Sequence, residues 1–67
     1  MRVADFEEWC LSHHVCSRFA MIGPEFVVKL IDVHTRCVQA HARAFTLEQA
    51  IAEARRKFDD RLYGAVN

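Results

Sequence analysis

The chain is 67 residues long, with nine Lys and Arg balancing nine Asp and Glu; 52% of it is hydrophobic and 27% charged. That composition excludes a disordered tail, which is too polar to offset its ordering entropy, and leaves material for a single domain, residues 1–67. A core this small is of the kind that leans on metals, disulfides or self-association, and the zero formal charge argues against a strong polyanion binder.

Asp5 and Glu8 have capping-box spacing, and Val3, Phe6, Trp9, Cys10 and His13 fall on one side of a helix predicted from Asp5 to His14. Residues 17–22 read as a strand, although the first helix could also run on to Ala20. Gly23-Pro24 breaks the chain, because a residue before proline avoids the helical region. Residues 25–31 are β-branched and aromatic and predict a second strand; 32–36 form a polar turn, and Cys37 to Phe45 a third strand. Thr46-Leu47-Glu48-Gln49 is a capping box, with the Thr hydroxyl meeting the Gln49 N–H. Leu47, Ala50, Ile51, Ala54, Phe58 and Leu62 make an apolar stripe, Glu53–Lys57 is a favourable i,i+4 pair, and Gly64 ends a helix of 47–63.

The order α-β-β-β-α predicts an α+β fold: a three-stranded antiparallel meander with both helices packed on one face. Setting Leu30 against Val38, Val28 against Ala40 and Phe26 against Ala42 gives one apolar face, with Lys29 meeting Gln39 and Glu25 meeting Arg43 on the other. Alanines at 40, 42 and 44 would let the long helix come close to the sheet.

This outline, with Gly23-Pro24 ahead of Phe26-Val27-Val28, resembles the double-stranded-RNA-binding domain. That resemblance implies the fold and, as one functional alternative, nucleic-acid binding. The family grips phosphates with lysines at the start of its second helix, where this chain has Thr46-Leu47-Glu48-Gln49, so that chemistry does not carry over. The Thr46 to Ile51 stretch also resembles the helix start of HicB-type antitoxins.

Cys10, His13, His14 and Cys16, with His34, Cys37 and His41, are the candidate metal ligands. No Cys-x-x-Cys knuckle joins them, and Cys37 and His41 are expected on the open sheet face while Cys10 and His13 face the core. The expectation is therefore no metal and no cofactor, with a small zinc-stabilised domain as a second alternative. An odd count of three cysteines, and acids at Asp5, Glu7 and Glu8 where a signal peptide would be apolar, point to a soluble cytoplasmic protein without membrane contact. Residues 1–33 carry three bases and five acids, residues 34–67 six bases and four acids. The run Arg55-Arg56-Lys57 is followed by Asp59-Asp60, so Arg55–Asp59 and Arg56–Asp60 are expected to pair along the helix. Nothing resembles a phosphate loop or a paired-carboxylate site, and the expectation is a protein that is not an enzyme.

What remains is the sheet face away from the helices. Val27, Lys29, Ile31, His41, Arg43 and Phe45 are the candidate partner-binding residues, with either Arg18 and Ala20 or Phe19 and Met21 beside them. Val27, Ile31 and Phe45 are apolar for a wet surface and mark an interface unless the C-terminal segment 62–66 covers them. Trp9 and Tyr63 are residue types that often anchor interfaces, Trp9 being expected in the core. The expected function is binding: a small domain, itself homodimeric, that occludes a partner protein. Its size and style resemble bacterial and phage inhibitors and accessory factors of the anti-CRISPR and antitoxin type.

Overall fold

The computed structural model describes residues 3–63, and the side chains of residues 4–61. Helix α1 (Val3–Ser12) leads into strands β1 (Val15–Ile22), β2 (Glu25–Asp32) and β3 (Val38–Ala44), and helix α2 (Leu47–Tyr63) closes the fold. The strands form one antiparallel sheet in the order β1-β2-β3, the meander expected from short connections. α1 lies over β1, while α2 lies over β3 and β2. Both helices share one core, in which Phe6, Val28, Leu30, Ala42, Ala50 and Ala54 are essentially inaccessible. The small residues of β3 and α2 face each other, which lets the helix approach the strand.

α1 starts two residues earlier than predicted, so Asp5 sits in its first turn instead of capping it and there favours the helix dipole. The helix ends where His14 takes a left-handed conformation, φ 56°, the usual way a chain leaves a helix. β1 then begins at Val15, two residues before the predicted strand of 17–22, so Cys16 lies within it. At the first hairpin Gly23 has φ +59° and proline fixes the next φ near −65°, the sign order of a type II′ turn. The turn sets Ile22 against Glu25, and with it the pairing of Ala20 with Val27 and Arg18 with Lys29.

The predicted register of β2 and β3 is two residues out. Phe26 pairs with Ala44, Val28 with Ala42, Lys29 with His41 and Leu30 with Ala40. The apolar face survives because a two-residue slip keeps side-chain direction. The pairing breaks between Leu30 and Ile31, where Ile31 opposes Val38 and Gln39 is the extra residue of a bulge. Val38, expected in the core, therefore shares a face with Ile31 and is 47% exposed. Cys37 lies in the connection before β3 and not on the sheet.

α2 has its predicted limits, and the Gln49 N–H donates to Thr46 Oγ1 at 3.2 Å. Arg56 pairs with Asp60 at 2.7 Å, as expected, and also with Glu53. Glu53 thereby takes a different partner from the predicted Lys57, whose Nζ donates instead to the His41 carbonyl. Val3, Leu62 and Tyr63 as contact residues, and 64–66 as a covering segment, lie outside the described side chains.

Candidate binding face

Antiparallel pairing places Cys16, Arg18, Ala20 and Ile22 of β1 on the face away from the helices. Beside them lie Glu25, Val27, Lys29 and Ile31 of β2, and His41 and Arg43 of β3. The choice left open by the sequence is thus made: Arg18 and Ala20 belong to this face, while Phe19 and Met21 point to the helix side. The two-residue turn was the signal, since closing Gly23-Pro24 on Ile22 and Glu25 fixes which β1 residues share a face with Val27.

Arg18 opposes Lys29, and Lys29 opposes His41, so three basic side chains form a row straight across the sheet. Arg18 and Lys29 are like charges placed directly opposite each other, which destabilises a sheet. Among the described residues, neither Arg18 nor Lys29 has a carboxylate partner. One pairing row away, Arg43 reaches Glu25 at 3.0 Å. That contact is diagonal, because Arg43 opposes Val27, and it joins the two residues the sequence had set directly against each other.

The six predicted partner-binding residues divide in burial. Lys29, His41 and Arg43 are exposed and Ile31 is half-buried. Val27 is only 5% exposed: Ala20 and Arg43 flank it across the strands, so it is the floor of the face and not a free apolar contact. Phe45, just past β3, is 69% exposed. A depression of about 240 Å³ lies over Val27, walled by Arg18, Ala20 and Lys29. A second of about 430 Å³ runs from Arg18 and Cys16 past Ile31 to Arg36. Arg18 borders both, and it is the residue sequence reasoning had not committed to.

The cysteines and histidines do not converge. Cys10 is buried in the core, and burial pushes its thiol pKa up. His13 stacks on Trp9 with ring centroids 4.3 Å apart and meets Phe58 edge-on. The His14 and His34 rings approach to 6.0 Å, Cys16 and His41 lie on the open face, and Cys37 is exposed in the connection. Among the described residues, no three His, Cys, Asp or Glu side chains are grouped to hold a metal ion, and no helix is long and apolar enough to cross a membrane. No known family model, curated protein or solved structure matches the chain.

Proposed function

We propose that the chain is a small non-enzymatic binding domain that acts by occlusion, laying its open sheet face on an acidic surface of a partner protein. The observation that carries this reading is the Arg18–Lys29–His41 row. A row that costs the sheet stability, and in which Arg18 and Lys29 have no carboxylate partner among the described residues, gains when an acidic surface covers it. The floor of Ala20 and Val27 gives that surface something flat and apolar to close on, and Arg43 and Phe45 extend the contact. The shallow depressions fit a macromolecular contact better than an enclosed small-molecule site. Such a mode of action belongs with small inhibitors and accessory factors.

The test is capture from the source cell with the immobilised chain, in parallel with a variant carrying Arg18→Glu and Lys29→Glu. Both positions are exposed or border solvent, so folding is checked simply by circular dichroism. One acidic protein retained by the parent chain and lost by the variant supports the reading. Retention by both chains removes the sheet face from the interaction. The alternative partner, nucleic acid, would appear as a gel shift whose affinity falls steeply with salt, since each neutralised phosphate adds about −0.9 to the slope.

A further inference from the structure

We propose that two copies of the chain join along β1 into one six-stranded sheet, with the two-fold axis at Phe19. The two edges of the sheet are treated differently. On β3, Lys57 Nζ donates to the His41 carbonyl at 3.2 Å and an Arg61 guanidinium N–H to the Gln39 carbonyl at 3.1 Å. The bulge at Gln39 also bends that strand. Charged side chains and bulges are what keep an edge from pairing with another chain. Among the described residues β1 has no bulge and no side chain bonded to its edge carbonyls, and its single charged residue is Arg18. The strand is eight residues long, in unbroken register with β2 and free of proline, and Phe19, Met21 and Ile22 are each about half exposed.

The pairing can be derived from the ladder. In an antiparallel sheet, residues bonded to one side alternate with residues bonded to the other. The carbonyls of Gln39 and His41 point away from β2, so Lys29, opposite His41, turns its backbone toward β1, and Arg18 turns toward β2. Ser17, Phe19 and Met21 therefore offer their N–H and C=O groups to the free edge. Charge then selects the register, because Arg18 is the one charged residue of β1. With Phe19 at the two-fold, Arg18 meets the partner's Ala20 and Ser17 meets the partner's Met21. A two-residue shift one way would set Arg18 against the partner's Arg18, a destabilising like-charge pair, and a shift the other way would shorten the paired stretch.

Cover over the seam follows the same symmetry. α1 packs Phe6 on Phe19, ring centroids 6.1 Å apart. Its ten residues span about 15 Å, less than the roughly 26 Å of β1, so Met21 stays open. The two-fold carries Met21 to the stretch of strand that the partner's α1 overlies. Trp9 and His13 face α2 through Phe58, which puts Leu11, 76% exposed, on the flank of α1 nearer the seam. Leu11, Phe19 and Met21 of two copies, with the paired strand edges, make a small contact, at the low end for a specific interface. The dimer is accordingly one that dissociates on dilution.

Sedimentation and amide exchange on the full chain test this, together with an Ile22→Cys variant in a Cys37→Ser background. Exchange at Ser17, Phe19 and Met21 should slow as protein concentration rises, alongside a shift from 7.8 kDa to twice that mass. In the stated register position 22 faces the partner's Cys16 in a non-hydrogen-bonded pair, about 4.5 Å between Cα atoms and within disulfide range. Air oxidation should then give a covalent dimer linked between positions 16 and 22. Within one chain these positions are about 20 Å apart on the same strand, so the link cannot be internal. A mass of 7.8 kDa at every concentration overturns the proposal. So does a dimer that leaves the three amides unprotected, which is the result expected if the open face joins the copies, and so does a covalent link that excludes the 16–22 pair. The outcome is independent of the occlusion reading, which concerns the other side of the sheet.

Discussion

Asp32 organises the β2–β3 connection. Its Oδ1 accepts from the N–H of His34 at 2.8 Å and of Thr35 at 2.9 Å, while its backbone carbonyl accepts from Arg36. The Thr35 and His34 N–H groups hold the carboxyl below its ordinary pKa. A carboxyl depressed in the folded state contributes stability above its unfolded pKa, near 3.9, and loses it as pH falls through the folded value. The urea midpoint should therefore fall as pH drops below about 4, and should fall less steeply in Asp32→Asn, where Glu53, lowered by Arg56, is the shifted acid that remains among the described residues. Parallel pH curves for the two proteins would refute the role given to Asp32. Arg36, at φ 61°, completes the turn in a conformation that suits glycine, a strain that no sequence pattern announced. The Cys and His cluster teaches the complementary lesson. Cys10, His13, His14 and Cys16 are close along the chain, but a helix, a left-handed corner and a strand send them to different surroundings.

At the scale of elements, α2 was legible because its cap and the described part of its apolar stripe agree. Its closeness to β3 rests on small side chains, with Ala50 and Ala54 fully buried against a core that includes Ala40 and Ala42. Ala54→Leu should therefore force the helix outward and cost about 1–3 kcal/mol in a denaturant titration. An unchanged midpoint would mean that the gap between α2 and the sheet is not tightly filled. The predicted register of β3 failed for an equally local reason. Alternation defines which face a residue takes, but a slip by two preserves alternation, and a bulge at Gln39 leaves no mark in a run of Val, Gln, Ala and His.

For the molecule as a whole, a formal charge of zero conceals a separation by face. Asp5, Glu7 and Glu8 are exposed on α1, on the helix side of the sheet, whereas Arg18, Lys29, His41 and Arg43 line the opposite side against Glu25. Counting charge along the chain had only divided it into an acidic first half and a basic second half. If the basic row is held for a partner, relieving it should help the isolated domain and harm its binding. Lys29→Glu is expected to stabilise the fold by about half a kcal/mol at low salt, less at high salt, and to weaken capture of the partner. A variant that is less stable and still binds would show that the row serves neither role.

The sequence by itself determined the α-β-β-β-α order and the core-facing residues of β2 and α2, because hydrophobic period and turn chemistry are local properties of the chain. Tertiary structure decided what the surfaces became. Val27, an expected contact, is sealed by its cross-strand neighbours, and Arg18 is carried into a row with Lys29 and His41. One sheet edge is closed by Lys57 and Arg61 from a helix some twenty residues away, whereas no side-chain hydrogen bond caps the other among the described residues. These are pairings between distant segments, whose register depends on one turn and one bulge. The small core noted from length alone now has a physical counterpart in that open edge, where Phe19 and Met21 remain half exposed.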